Sequence, residues 1–456
     1  MKPFFAFIAI FISFNSFGQE IKYQKSYSAA LALANESNKP LFVTIMPPVP
    51  PNLPGVPQLK NTSAKDVANL YNKEFVNYQG LITDPSIKAI TAKTNPTIFP
   101  YYVFLDSKGG IVYTSNGMLT HPNNFKVMAE KALDLISSGK TPNHYEQLDK
   151  ANMLSKEQLK EYITLRQSLN IFDNAALIEK YIDLVTVKDL DSYQEVLFIL
   201  KAGPNFTGKA YKLAYTNSKI IDSIFKTEPL NVREALNNRI IVNTRNEAIK
   251  TKNISMAQGA AQVASRSWGN NYQEANKANA WQMLAYYKGI NDTTRYYQQA
   301  GYFYDQYYLN ITTDSARRLQ AQQLDKLRAT AQTNVPNIPG ALQGEVQKIV
   351  TIQLSPEKGL EVANVLNNAA YDFYLMGTRN TANLIKALVW SRRSIELKPE
   401  AGYYDTMAHI MYRLNFYDEA ILNQNKAIEI ASKQPNTPGR IESLKAELSK
   451  MKTREL

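Results

Sequence analysis

The chain has 456 residues, 44% of them hydrophobic and 20% charged, with a formal charge of +12. That is the make-up of an ordinary globular protein with room for two or three domains. With no cysteine and only His121, His144 and His409 as histidines, it is excluded from disulfide and thiolate chemistry, and a thiolate or histidine-rich metal site is not expected.

Acidic residues are interspersed among the basic ones, and no block of like charge stands out as a nucleic-acid arm. The surplus of positive charge leaves a weak preference for anionic partners.

Residues 1–18 hold one lysine, an apolar run and small residues at Ser16-Phe17-Gly18. This reads as a signal peptide, cleaved to leave Gln19 or Glu20, so an exported protein is expected, periplasmic or extracellular. No later run reaches the length of a membrane span, so no integral membrane segment is expected after cleavage.

Next comes a helix over 27–38, capped by Ser26 and stopped by Lys39-Pro40. Residues 41–45 are continuously apolar or β-branched, as suits a strand covered on both faces. Prolines 47, 48, 50, 51, 54 and 57 then forbid a helix. Ser63 is placed to cap a helix over 64–73. An extended stretch over 75–83 and a short helix over 85–93 follow. Phe99-Pro100 leads into the strongly β-prone run 101–106. Ser107-Lys108-Gly109-Gly110 reads as a hairpin turn that includes Asp106, with a returning strand over 111–115. Phe125, Met128, Ala132 and Ile136 at helical spacing close the series with a helix over 123–137. The order predicts a three-layer α/β domain.

Three stretches carry a family resemblance: Asn38-Lys39-Pro40-Leu41-Phe42-Val43, the segment 66–76, and Phe99-Pro100 before the 101–106 run. Over 27–140 the chain resembles a secreted thioredoxin-like domain. The resemblance implies a redox cysteine pair at a helix start where 46–57 stands. Neither sulfur nor an uninterrupted helix is available there, so the fold is expected without thiol–disulfide exchange and without a cofactor. It also implies that Pro100 stands where the family has a cis-proline bordering a peptide groove, which makes Phe99 and Pro100 candidate binding residues; the alternative is that Pro100 only shapes the turn into a central strand.

Beyond residue 141 the strand signal fades. Helices are expected over 155–169, 175–184, 192–200 and 208–225, with Gly203-Pro204 as a break. Trp281-Gln282-Met283-Leu284-Ala285 approximates the opening of a tetratricopeptide helix, and Ala300, Phe303, Tyr304 and Tyr307 share a face of the next. The tyrosines from 286 to 308 read as helix-packing residues, with a carbohydrate platform as the alternative. Residues 334–340, with two prolines, read as a linker. The stretch 400–434 is similar to a full tetratricopeptide repeat, with Tyr404, Met407, Ala408, Tyr417, Ala420 and Ala427 in its pattern positions. The preceding unit, 368–399, fits less regularly around Met376-Gly377.

The expected plan is therefore a signal peptide at 1–18, a thioredoxin-like domain at 20–140, a partly repeat-like helical region at 141–333, a linker at 334–340, and a tetratricopeptide-like domain at 341–456. Asp405, His409, Tyr412 and Arg413 fall at i, i+4, i+7 and i+8, hence on one helix face, and offer groups to hold a peptide. No phosphate loop, nucleophile elbow or metalloprotease motif occurs. The expected function is an exported, non-catalytic scaffold that binds a protein or peptide partner in the cell envelope. The alternative is an accessory factor or enzyme derived from thioredoxins, working in envelope thiol–disulfide or folding pathways.

Overall fold

Ser26 begins the first element as its sequence suggests: its hydroxyl accepts from the Ala29 amide at 3.2 Å, capping α1 (Tyr27–Ser37). Asn38, at φ 49°, ends that helix in the left-handed region, a conformation asparagine tolerates better than most residues. The computed structural model describes residues 20–47, 64–94, 96, 98–119, 121–333, 361–434 and 438–456. The expected signal peptide, prolines 48 to 57, Ser63 and the 334–340 linker lie outside the described residues. The chain divides into two compact units, with the boundary between Gln147 and Leu148.

In the first unit α1 is followed by β1 (Leu41–Met46), α2 (Lys65–Glu74), β2 (Val76–Leu81), a 3₁₀ turn at Pro85–Ile87 and α3 (Lys88–Thr94). Then come β3 (Tyr101–Leu105), β4 (Ile111–Asn116), α4 (Pro122–Ser137) and α5 (Pro142–Lys150), the last of which spans the boundary. The four strands form one mixed sheet in the order β2-β1-β3-β4. β1 runs parallel to β2, with Leu41 opposite Val76, and antiparallel to β3, with Leu41 opposite Leu105. β3 pairs antiparallel with β4, with a register shift between Phe104 and Leu105.

The apolar and β-branched run of β1 has the cause the sequence suggested, a central strand buried on both faces, and β3, the other central strand, is buried in the same way. On one face Phe42, Tyr102 and Phe104 pack with Val67 and Tyr71 of α2 and with Phe125 and Met128 of α4. The opposite pleat, Leu41, Val43, Ile45 and Val103, is equally buried, and α1 packs on β1 and β2.

The hairpin turn is held by Asp106. Its Oδ1 accepts from the amides of Lys108 and Gly110, at 2.9 and 2.8 Å, and its Oδ2 accepts from Asn143 Nδ2 at 2.6 Å. A Cβ on Gly110 would lie 2.0 Å from Asn143 Nδ2 and 2.6 Å from Asp106 Oδ2, so a side chain there would have to displace that bond.

The second unit is all helix among the described residues. It opens with α6 (Lys156–Ser168), α7 (Ala175–Ile182), α8 (Tyr193–Ala202), α9 (Lys209–Ala214) and α10 (Ser218–Thr227). It continues with α11 (Leu230–Thr251), α12 (Ile254–Arg266), α13 (Tyr272–Gly289) and α14 (Thr293–Tyr304), which runs into a π turn at Asp305–Leu309. α15 (Thr313–Thr333), α16 (Glu361–Leu375), α17 (Thr381–Leu397), α18 (Ala401–Arg413), α19 (Tyr417–Ser432) and α20 (Pro438–Thr453) complete it.

The single helix expected over 208–225 is two. Asn217 breaks it by capping α10, its side chain accepting from the Ile220 amide at 3.3 Å, and such local bonding competes with an uninterrupted helix. Gly377, at φ +77°, turns the chain after α16 where irregularity was expected.

Alanines sit where helices meet closely. Ala369, Ala370 and Ala387 are fully or almost fully buried on α16 and α17, as are Ala408, Ala420 and Ala427 on α18 and α19. One hydrophobic core takes in Leu284, Tyr296 and Phe303 together with Phe373, Trp390 and Ile410. Helices on either side of the 334–340 segment thus share a core. No helix among the described residues is long and apolar enough to cross a membrane.

Candidate functional site

Of the residues singled out in the sequence, Phe99 is half-buried and Pro100 buried. The peptide bond between them is cis. The Pro100 carbonyl accepts from the Gly117 amide at 2.8 Å, next to the β3–β4 pairing. It is therefore engaged within the sheet. The proline-rich segment expected beside it lies outside the described residues.

Asp405, His409, Tyr412 and Arg413 share a face of α18, as their spacing requires. That face meets neighbouring helices. His409 is buried, with Nδ1 2.8 Å from the Asp405 carbonyl oxygen and Nε2 3.5 Å from a Glu447 carboxylate oxygen on α20. Its ring stands edge-on to Tyr374 of α16 at 4.9 Å. Arg413 lies over the Tyr374 ring at 3.9 Å and donates to the Tyr374 carbonyl. Asp405 accepts from Gln424 at 2.9 Å, and Tyr412 packs against Tyr417. The four groups are brought together, but their partners are α16, α19 and α20.

A recess lies elsewhere in the helical unit, between the turn after α12, α13, α14 with its π turn, and α16. It has a volume of about 640 Å³, within the usual range for ligand sites. Its aromatic lining includes Trp268, Trp281, Tyr308 and Tyr371. Trp268 and Trp281 are 47% and 45% exposed, so two of the chain's three tryptophans present open indole surface to one cleft. The Trp281 ring lies 5.8 Å from that of Phe303, tilted by 35°, and both line the cleft. The Lys277 ammonium sits 4.5 Å from the centre of the Tyr308 ring, a cation–π contact.

At the other end Asp372 accepts from Lys288 at 2.6 Å and from the Tyr296 hydroxyl at 3.1 Å. Burial is the main cause that raises the Tyr296, Tyr304 and Tyr371 phenols, with nearby carboxylates adding to it. All three are therefore neutral hydroxyls at neutral pH. The polar lining also includes Glu274 and Asn368. Two carboxylates and two ammonium groups balance. Aromatic faces with polar groups around them are suited chemically to stacking flat or ring-shaped apolar groups. No cluster of three metal-ligating carboxylate or imidazole side chains occurs among the described residues.

The sequence pointed to part of this cleft without recognising it. Trp281, Tyr304 and Tyr308 stand out as repeat and packing residues, while Trp268, Glu274, Lys277, Asn368 and Asp372 do not stand out at all. One signal was available: Trp268 sits in the polar turn Ser265-Arg266-Ser267-Trp268-Gly269-Asn270-Asn271, where a large apolar ring has no packing rationale. Comparison with family models, curated proteins and solved structures returns no match to this chain.

Proposed function

We propose that this is an exported, non-catalytic binding protein that holds a protein or peptide partner through its helical unit. On this reading the first unit is a thioredoxin-like domain without redox chemistry. The sheet order and the helix-covered sheet support that reading, and the absence of cysteine from the whole chain removes the family's thiol step. The helical unit is read as tetratricopeptide-like, supported by the alanine contacts between α18 and α19.

The observation that carries the binding function is the cleft, with two half-exposed tryptophans backed by a packed core. Partly exposed aromatic anchors of this kind dominate binding energy in many interfaces. The test is capture from a random peptide display library by the mature chain, repeated with Trp281→Ala. Loss of that side chain should weaken selected peptides by about 2 kcal/mol, or roughly thirtyfold. Peptides captured equally well by both proteins would place recognition away from the cleft and sink the proposal.

A further inference from the structure

Resting on the peptide-binding reading, we infer that the cleft between α13, α14 and α16 takes a proline-rich segment in the polyproline II conformation. The walls decide among peptide modes. Adding a strand requires a free sheet edge, and these walls are helices and the turn that carries Trp268, with no strand among them. Laying a helix in a groove requires an apolar stripe, whereas this lining is interrupted by Glu274, Lys277, Lys288 and Asp372. Capturing an acidic or phosphorylated peptide requires surplus positive charge. Here two acids offset two lysines, and Lys288 is already bound to Asp372 at 2.6 Å.

What remains matches polyproline II closely. Its backbone has no internal hydrogen bonds, so every carbonyl seeks an outside donor, and its rings need flat faces. Donors are present as the indole N–H groups of Trp268 and Trp281, the Lys277 ammonium, the Asn368 amide and the Tyr371 hydroxyl. The indole and phenol faces are the surfaces on which pyrrolidine rings stack. The segment also arrives preorganised, so less ordering entropy is lost on binding.

The experiment titrates fluorescein-labelled decaproline into the full mature chain, read by anisotropy and by quenching of tryptophan emission. An amphipathic helical peptide, an alternating threonine–valine peptide and a glucose hexasaccharide serve as comparison ligands. Saturable decaproline binding, weakened at least tenfold by Trp281→Ala and by Trp268→Ala, is the expected result. Both rings are nearly half exposed, so the variants should fold, and far-UV circular dichroism checks that they do. If a comparison peptide binds as tightly as decaproline with the same tryptophan dependence, the polyproline inference fails and the peptide reading stands. Binding of the saccharide alone, or of no probe at all, overturns both. Decaproline binding that ignores both substitutions overturns the assignment to this cleft.

Discussion

Asp305, at the start of the π turn, joins α14 to α17, and removing its carboxylate should cost the helical unit about 1–2 kcal/mol. Its Oδ1 accepts from Trp390 Nε1 at 2.7 Å, and its Oδ2 pairs with the Lys386 ammonium. Trp390 is fully buried, with Tyr304 and Phe373 edge-on at 5.2 and 5.0 Å. In Asp305→Ala the indole N–H loses its partner at a part-buried site where water can replace the carboxylate, worth about 1 kcal/mol. The ion pair is partly exposed, with Lys386 45% and Asp305 36% accessible, so it adds only about 0.5 kcal/mol. Asp305→Asn keeps an acceptor for Trp390 and should lose about 0.5–1 kcal/mol, and Lys386→Met should lose less. Urea unfolding followed by tryptophan emission is the assay. Trp268, Trp281 and Trp390 are the chain's only tryptophans and all lie in this unit, so the signal reports it alone. Equal losses for the alanine and asparagine variants would refute the assignment of the main term to the indole bond. A loss below about 0.5 kcal/mol for Asp305→Ala would refute it too.

Two further tests bear on each unit separately. In the first unit, Gly110→Ala should push the Asn143 side chain off Asp106, costing about 1–2 kcal/mol. Because Asn143→Ala removes the same contact, the double variant should be clearly less damaged than the sum of the singles, and simple additivity in a thermal-denaturation cycle would count against this geometry. In the second unit, Asp189 accepts from Lys156 at 2.7 Å and from the Thr186 amide and hydroxyl at 2.8 and 2.9 Å. The Lys156 bond first, then those from Thr186, hold its carboxyl down from 3.8 to about 2. A depressed folded-state value stabilises the fold above pH 3.8, and the benefit is lost as pH falls toward about 2. The gap in melting temperature between the native chain and Asp189→Asn should therefore close across that window, and a gap that is constant with pH would contradict it.

Much of the first unit was legible because its signals are local. Ser26 caps, Asp106 organises a hairpin, and the runs at 41–45 and 101–105 are rich in apolar, aromatic and β-branched residues because their strands are central. Each of these depends on residues within a few positions of one another, the range over which sequence patterns act. At 208–225 two local signals compete: apolar periodicity favours one helix, while the Asn217 side chain caps a new one through the Ile220 amide, and the cap prevails.

The cleft required information of a different kind. Its walls come from 268–308 and from 365–372, and the contact between them is set by how α14 and α16 pack. Periodicity identifies which side chains share a helix face but not what that face meets. The spacing of Asp405, His409, Tyr412 and Arg413 correctly put them together, yet α16 and α20 cover them, while Trp281, read as a repeat signature, faces open space. A tryptophan that a repeat pattern assigns to packing, but that stands 45% exposed against the buried Phe303, has been kept out of the core it would have stabilised by about 2–3 kcal/mol. On the proposed reading binding is the use that offsets such a loss, which is why the proposal rests on the exposed indole and not on the polar face of α18.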